Sequence, residues 1–224
     1  MHLGMTGWIK FTAEDTRYYK KGKVDDDDAE EEEWPPKYAK FLLKCDAGKV
    51  DGEQREAVEV AFVDARRLAR IRLVDCKAEE IRQHSPLKEN GPDPVVDKDV
   101  LNVEFLSALM RRKRVPIKAL LLDQANISGV GNWVADEVLY QARIHPEQYC
   151  NSFSDEEIQR LHDSLMKVCT LAVDTLADSS QFPEDWLMKF RWDKGKKNAN
   201  VLPNGNKIVH IKVCLLYTSP SPRD

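Results

Sequence analysis

The hydrophobic period of this chain changes once along its length, and that change restricts the folds that the chain can form. Apolar and polar residues alternate over residues 57–62 and 68–74, which is typical of β-strands with one buried face. From residue 103 onward, apolar residues recur every three or four positions, which is typical of amphipathic helices. A group of strands followed by a group of helices predicts an α+β fold.

Strand-forming segments account for most of the first third of the chain. Residues 8–12 are rich in β-favouring side chains, and residues 39–45 form an apolar run after the turn-like Trp34-Pro35-Pro36. Strands that are joined by turns and charged loops usually pair antiparallel. We therefore expect residues 1–84 to form part of an antiparallel β-sandwich.

The helical pattern predicts a compact lobe at residues 85–186. Apolar stripes mark three helices, at residues 103–110, 117–123 and 133–143. Ser154 and Glu157 have the spacing of a capping box, which begins a fourth helix of about six turns. The apolar stripe of this helix comprises Ile158, Leu161, Leu165, Val168, Ala172 and Leu176. Residues 85–98 contain three prolines and are expected to run over the surface as a linker.

The net charge of −4 hides a strongly uneven distribution. Residues 25–33 contain eight acids and no base, so the remaining residues are net positive. A run of like charges repels itself, and we expect this run to be a solvated, disordered loop. A segment that mimics phosphates or binds a partner is the alternative.

Composition argues against several classes of protein. No apolar run approaches the ~18–20 residues that a membrane-spanning helix needs. The first residues lack the basic and apolar regions of a signal peptide, so we expect an intracellular protein with no membrane partner. The five cysteines form no CxxC pair, which predicts free thiols and argues against a zinc or redox site. They are Cys45, Cys76, Cys150, Cys169 and Cys214.

Residues 129–132 (Gly-Val-Gly-Asn) directly precede a predicted helix and form the segment best suited to bind an anion. The first amides of a helix are unpaired and carry partial positive charge, which favours a phosphate. Glycine allows the backbone to approach the anion closely, and Asn132 is expected to cap the helix and to donate from its amide. Taken alone, the pattern also fits an ordinary turn between helices.

The last part of the chain has a different character. Residues 189–197 are basic with two interleaved aromatic side chains. Residues 203–206 (Pro-Asn-Gly-Asn) predict a hairpin turn before a strand-like segment at residues 208–213. Residues 214–224 continue no fold pattern, and we expect them to be a cloning or sequencing scar, with a native disordered tail as the alternative.

Four segments together resemble, in chain order, the formamidopyrimidine-DNA glycosylases, and most of all their plant and fungal branch. They are residues 2–7 (HLGMTG), Ala65-Arg66-Arg67, residues 120–146 and residues 194–213. The third is similar to the helix–two-turns–helix module of that family, and the fourth to the start of its zinc-free hairpin. The resemblance implies a partial catalytic β-sandwich without its first strands and helix at residues 1–84 and a helix–two-turns–helix domain at residues 85–186. It also implies an incomplete C-terminal β-hairpin at residues 187–213.

The resemblance implies a set of residues that contact DNA. His2 and Asn132 would contact backbone phosphates beside the lesion, and Lys118 would lie near the flipped nucleotide. Met5 and Arg66 would fill the gap that base flipping leaves in the duplex, with Arg66 facing the orphaned base. The full DNA-binding set is His2, Met5, Arg66, Arg67, Lys118, Gly131 and Asn132, with Glu137 bracing the active-site region.

The resemblance also implies a chemistry that this sequence does not fully carry. Members of the family attack the sugar C1′ with the amine of an N-terminal proline, assisted by an adjacent glutamate, and the Schiff base then permits β-elimination. This chain begins Met1-His2 and its eleven prolines are internal, so we assign no catalytic residue and expect a chain truncated at both ends. Lys118 is the alternative nucleophile if burial removes its proton. Leu68 stands where the family usually has phenylalanine, and it cannot stack like an aromatic ring.

The function that the resemblance implies is base-excision repair in the nucleus. A parent enzyme would act as a DNA N-glycosylase and AP lyase on oxidised purines, and this chain would retain damaged-DNA binding. The expected partner is double-stranded DNA with oxidised or abasic lesions, bound by a monomer that needs no cofactor or metal. The alternative is a non-catalytic helix–two-turns–helix module that clamps DNA or RNA, as in a small-subunit ribosomal protein.

Overall fold

The computed structural model describes residues 2–4, 7–12, 34–190, 201–202, 205–209, 211 and 213. These residues fall into two compact units, which lie within Met1–Asp75 and Cys76–Thr218. The acidic residues 25–33 and residues 214–224 lie outside the described residues, so the structure does not bear on the expectations for them.

A three-stranded antiparallel sheet forms the centre of the first unit. Its strands are β1 (Gly7–Phe11), β2 (Ala39–Cys45) and β5 (Val58–Asp64). They lie in the spatial order β1-β5-β2, so β5 is the central strand, and its Ala61 and Phe62 are buried. Phe62 pairs with Ile9 on one side and with Phe41 on the other, which places three large apolar side chains in one row. The three strands are those that the sequence predicts, and they are confirmed.

A short hairpin extends from the end of β2. It consists of β3 (Gly48–Val50) and β4 (Glu53–Arg55). The two residues between them, Asp51 and Gly52, have positive φ values of 51° and 84°, as a tight type I′ turn requires. This hairpin was not predicted from the sequence, although an Asp-Gly pair is one of the stronger signals for such a turn.

The strand predicted at residues 68–74 is wrong. Only Arg70 forms a bridge, with His2, and the other residues of this segment belong to no strand. The chain leaves the sheet directly after β5, because Arg67 takes a left-handed conformation with φ 58°. Two apolar side chains of the alternating pattern are consequently exposed, Ile71 by 43% and Leu73 by 96%.

The second unit is helical. Its described residues include α1 (Val103–Arg112), α2 (Ile117–Leu122), α3 (Asn132–Ala142) and α4 (Asp155–Asp174). Short 3-10 helices flank them at Ala78–Gln83, Leu87–Glu89, Cys150–Ser152, Ser179–Gln181 and Leu187–Lys189. The four α-helices predicted from the apolar periodicity are confirmed. Across the described residues, no helix has the length and apolarity that crossing a membrane requires.

All four α-helices contribute to one apolar core. Leu106 and Met110 of α1, Leu120 of α2, Val138 of α3 and Leu161 of α4 are at most 1% exposed. Each such side chain stabilises the fold by about 1.5–3 kcal/mol through its removal from water. This burial, more than helix propensity, holds α2 in place, since six residues are too few for an isolated helix.

The sequence predicted the start of α4 correctly and its end incorrectly. The capping box is confirmed, because Ser154 Oγ accepts from the Glu157 N–H at 3.2 Å and Glu157 Oε2 accepts from the Ser154 N–H at 2.8 Å. The predicted extension of the helix through Leu176 is wrong. The helix ends at Asp174, and Leu176 and Ala177 have positive φ values of 52° and 58°. Leu176 consequently lies outside the core and is 72% exposed.

Residues 85–90 are exposed, as the predicted surface linker requires, whereas residues 91–95 pack against the helical unit, so the prediction is wrong for that part. The Gly91 N–H donates to the Gln124 carbonyl at 2.8 Å, and the Ser128 N–H donates to the Pro92 carbonyl at 3.1 Å. Pro94 is buried.

The carboxylate of Asp97 fixes this segment and should make the stability of the unit depend on pH. It accepts from the Arg82 guanidinium at 2.9 and 2.5 Å, and hydrogen bonding to Arg82 is the main cause that lowers the pKa of Asp97 to about 2. A lowered carboxyl pKa stabilises the fold above its unfolded value of about 4, and this stabilisation is lost as the pH falls through about 2. We expect a loss of about 1 kcal/mol of unfolding free energy over that range, because Arg82 is half-exposed.

Urea unfolding of the wild type and of Asp97→Asn at a series of acid pH values measures this effect. The variant should show a flatter dependence of the unfolding free energy on pH. Asp155→Asn, which removes an exposed carboxylate of the same unit, should leave the slope unchanged. Parallel pH profiles for the wild type and Asp97→Asn would contradict the assignment.

The C-terminal turn is partly as predicted. The Leu202 N–H donates to the Asn206 carbonyl at 2.8 Å, Gly205 has a φ of 84°, and Val201 bridges with Lys207. The turn is therefore confirmed. The strand predicted at residues 208–213 is wrong for the described residues of that segment, which belong to no strand. Among these described residues, Val209 is 79% exposed and Ile211 is 41% exposed.

The four cysteines within the described residues are free thiols, as predicted. Burial raises the pKa of Cys150 to about 11 and that of Cys169 to about 12. Both thiols are therefore protonated at neutral pH and are poor nucleophiles. In the part of the chain that the structure describes, no group of three or more side chains could hold a metal ion.

Candidate nucleic-acid interface

The turn that leads into α3 is held by hydrogen bonds of one side chain, that of Gln124. Gln124 Oε1 accepts from the Gly129 N–H at 2.9 Å, and Gln124 Nε2 donates to the Val130 carbonyl at 2.9 Å. Gly129 has a φ of 82°, and a Cβ there would lie 2.9 Å from Asp93 Oδ2. The path of the backbone before α3 is thus fixed in the free protein.

The first turn of α3 is open to solvent. Gly131 is the N-cap, with φ −99° and ψ 179°, and its carbonyl accepts from the Ala135 N–H at 2.9 Å. Asn132 is the first helical residue, so the prediction that its side chain caps the helix is wrong. Gly131 is the N-cap because the turn that Gln124 holds leaves it in the extended backbone conformation that an N-cap needs. Gly131 and Asn132 are both exposed, and no side chain caps the helix.

An open N-terminal turn has a clear electrostatic consequence. The first amides of α3 point out of the helix without an intrahelical acceptor, and the helix dipole adds partial positive charge there. A Cβ at Gly131 would meet no atom within 4 Å, so this position has room for a ligand. We refer to these amides together with Gly131 and Asn132 as the α3 N-terminus. It is suited to bind an anion such as a phosphate.

Lys118 lies in an ion pair that the sequence does not reveal. Its Nζ is 2.6 Å from Oδ1 of Asp136, and the two side chains are 16% and 23% exposed. Asp136 follows Asn132 by four residues, so both lie on one face of α3 with Cβ atoms about 5–6 Å apart. The structure therefore brings Lys118 to the same helix face as Asn132. Asp136 was not among the predicted site residues, because its partner is on another helix.

Glu137 lies on the interior side of α3. It is fully buried and accepts from Gln141 Nε2 and from the Met188 N–H, each at 2.8 Å. Burial raises the pKa of the Glu137 carboxyl, and the two hydrogen bonds oppose that shift. Glu137 therefore holds the turn Leu187–Lys189 against α3 and does not share a surface with Asn132.

In the first unit, residues 2–4 lie against the segment that follows β5, residues 65–70, which we call the arginine loop. His2 and Arg70 exchange two backbone hydrogen bonds of 2.8 Å. Gly4 has a φ of 62°, and a Cβ there would lie 2.9 Å from the Leu68 carbonyl carbon, so glycine is required for this close approach. The structure thus brings His2 close to the loop. Met5 lies outside the described residues.

A buried carboxylate shapes the arginine loop itself. Asp64 is 1% exposed, and its two oxygens accept from the Arg66 N–H at 3.1 Å and from the Ala69 N–H at 2.7 Å. Arg66 and Arg67 are exposed at the top of this turn. Asp64 was not predicted from the sequence, although an acid two residues before a turn is a common signal for side-chain to backbone hydrogen bonds.

Two family profiles match this chain in sequence. The N-terminal domain of formamidopyrimidine-DNA glycosylases matches residues 1–71, and the H2TH domain of these enzymes matches residues 90–184. The chain is 40% identical over 209 residues to the formamidopyrimidine-DNA glycosylase of Arabidopsis thaliana, which covers 93% of this chain and 48% of that protein. It is 35% identical over 138 residues to that of Pediococcus pentosaceus, which covers 62% and 46%. The chain thus spans about half the length of these relatives.

Solved structures show the same fold. The formamidopyrimidine-DNA glycosylase of Lactococcus lactis, non-covalently bound to DNA that contains an AP site, matches with a TM-score of 0.62. The identity is 22%, and the match covers 97% of this chain and 70% of that one. A second structure of the Lactococcus lactis protein, with a DNA and an inhibitor, matches with a TM-score of 0.54 and 23% identity.

Proposed function

Because this chain belongs to the formamidopyrimidine-DNA glycosylase family, we propose that it takes part in base-excision repair by binding damaged duplex DNA. The activity that we propose for the protein is that of a DNA N-glycosylase and AP lyase on oxidised purines. We further propose that the protein acts in the nucleus, which the location of a fluorescent fusion would test. The observation that best supports DNA binding is the open α3 N-terminus. Asn132 is exposed there, and the ammonium of Lys118, from α2, lies at the same face of α3.

The proposed role of the α3 N-terminus is to hold a backbone phosphate next to the lesion. Its unpaired amides and the Asn132 amide donate hydrogen bonds to phosphate oxygens, and Gly131 lets the backbone come close. Lys118 supplies a positive charge at the same face. Contacts of this kind hold the DNA in register and carry no base specificity of their own.

The proposed role of the first unit is to stabilise the flipped-out state of the DNA. Extrusion of a base costs a few kcal/mol of stacking and pairing. In this proposal His2 contacts a phosphate, and Met5, Arg66 and Arg67 enter the space that the base has left. Asp64 supports this role because it fixes the backbone of the arginine loop before DNA arrives.

Replacement of Asn132 by alanine tests the proposed phosphate contact. We expect Asn132→Ala to weaken binding to duplex DNA with an abasic-site analogue about 10-fold, because it removes a hydrogen bond to a charged group. Fluorescence anisotropy at fixed salt measures the dissociation constant. The melting temperature should not change, since Asn132 is exposed and caps nothing.

The matched control is Asn151→Ala, which removes an exposed asparagine from the same unit. It should leave DNA affinity unchanged. Equal affinities of wild type and Asn132→Ala would contradict the proposed site. Equal affinity of the wild type for damaged and intact duplex would instead favour the non-catalytic nucleic-acid clamp.

The proposed activity needs a separate experiment. A Schiff base between the protein and C1′ of the lesion is reduced by borohydride to a stable cross-link. Protein purified from its native source should be trapped on duplex DNA that contains 8-oxoguanine. If no cross-link forms, the lyase activity through a Schiff base is excluded, and the proposal of DNA binding is unaffected.

A further inference from the structure

The ion pair between Lys118 and Asp136 is the most enclosed of the ion pairs between α-helices that the described residues show. The Nζ–Oδ1 distance is 2.6 Å, and the two side chains are 16% and 23% exposed. The other such pair, between Arg111 of α1 and Asp155 of α4, has the same distance but side chains that are 60% and 86% exposed. Water screens the first pair far less than the second.

Asp136 places a negative charge close to the proposed phosphate site. Its carboxylate lies one helical turn from Asn132, on the same face of α3. A negative charge there repels a phosphate at the α3 N-terminus unless a cation neutralises it. Lys118 neutralises it in the free protein. A phosphate that binds there therefore competes with Asp136 for the ammonium of Lys118.

We propose that Asp136 is a positioning residue that stores Lys118 beside the α3 N-terminus and releases it to a DNA phosphate. This inference rests on the proposed DNA-binding function. In the free protein the ion pair fixes the lysine side chain, whose freedom is otherwise costly to remove on binding. When DNA binds, the ammonium turns from the carboxylate to the phosphate. Asp136 thus lowers the affinity of the protein for any DNA, and it keeps the Lys118 side chain beside the α3 N-terminus.

Replacement of Asp136 should therefore strengthen DNA binding, whereas most substitutions in a binding site weaken it. Asp136→Asn should bind duplex DNA about 3- to 5-fold more tightly, which corresponds to the loss of one partly exposed ion pair. The affinity of this variant for DNA should also fall more steeply as the salt concentration rises, by about one additional released counterion. The reason is that Lys118 then neutralises a phosphate without leaving a carboxylate behind. Lys118→Gln should weaken binding and make the salt dependence shallower.

The experiment is a double-mutant cycle on the 224-residue chain with an abasic-site duplex as the probe. Dissociation constants are measured at several salt concentrations for the wild type, Asp136→Asn, Lys118→Gln and the double variant. If Asp136 acts through Lys118, the steeper salt dependence of Asp136→Asn should be absent from the double variant. Asp136→Glu, which keeps a carboxylate, should retain the salt dependence of the wild type. Melting curves show that each variant is folded, with a decrease of about 2–4 °C at most for Asp136→Asn.

The matched control for charge is Asp155→Asn, which also removes one acid from an ion pair of this unit. It should change DNA affinity by less than about 2-fold, because an exposed ion pair contributes little. An equal gain in Asp155→Asn, or an equally steep salt dependence in the double variant, would overturn the inference in favour of general repulsion. An unchanged affinity of Asp136→Asn would overturn it too, while a loss of binding in Asn132→Ala would still support the proposed function. If the wild type does not bind the duplex, both proposals are overturned.

Discussion

Trp186→Ala is expected to lower the unfolding free energy of the helical unit by about 3–5 kcal/mol. Trp186 is 1% exposed, and its ring centroid lies 4.8 Å from that of Phe182. Phe182 in turn stacks on Trp133 at 5.6 Å, near the start of α3. Removal of the indole opens a cavity between α3 and residues 182–190, and the remaining rings cannot fill it without losing these contacts.

Urea unfolding, followed by far-UV circular dichroism, measures the effect of Trp186→Ala. The melting temperature should fall by about 2–4 °C for each kcal/mol that is lost. Tyr149→Ala removes an aromatic ring that is 54% exposed in the same unit, and should cost less than about 1 kcal/mol. A similar loss in both variants would show that Trp186 does not anchor this segment.

Gly91→Ala is expected to lower the unfolding free energy of the helical unit by about 3 kcal/mol. An added Cβ would lie 2.2 Å from the Asn126 carbonyl oxygen and 2.4 Å from its carbon. Both are backbone atoms, so no rotation of a side chain can relieve the clash. The Gly91 N–H bond to the Gln124 carbonyl would be strained as well. Because Asn126 and Gln124 belong to the turn before α3, DNA affinity should fall together with stability.

Gly131→Ala is the matched control for this effect. A Cβ at Gly131 meets no atom within 4 Å, and its φ of −99° suits any residue, so stability should change by less than about 0.5 kcal/mol. Thermal unfolding of the two variants separates the two cases. Equal melting temperatures for Gly91→Ala and the wild type would mean that residues 91–95 do not pack tightly on the turn.

The turn before α3 and the exposed residues at the start of this helix have different roles. The turn before the helix is fixed by Gln124 and by the close approach of Gly91, whereas Gly131 and Asn132 are exposed and available to a ligand. A site that is already formed in the free protein loses little conformational freedom when a ligand binds. For the proposed function, a preformed site of this kind favours rapid binding of a backbone phosphate.

Local patterns in the sequence predicted most of the secondary structure. The apolar period indicated the four helices and the central strand β5, because the burial of one face decides both kinds of element, and runs of β-favouring or apolar residues indicated β1 and β2. The Ser154–Glu157 capping box and the C-terminal turn were also predictable, since each depends on residues that are close in sequence. The strand pattern at residues 68–74 failed because a strand also needs a partner and a covering surface, and a sequence period shows neither.

The sequence by itself determined the succession of strands and helices, the glycines before α3 and the candidate DNA-binding residues. The tertiary structure alone decided that Gly131, not Asn132, caps α3, that Asp64 holds the arginine loop, and that Lys118 pairs with Asp136. The physical reason is the range of the interactions. Periodicity and capping act between residues a few positions apart, whereas the Lys118–Asp136 pair joins two helices whose approach depends on the packing of the whole core.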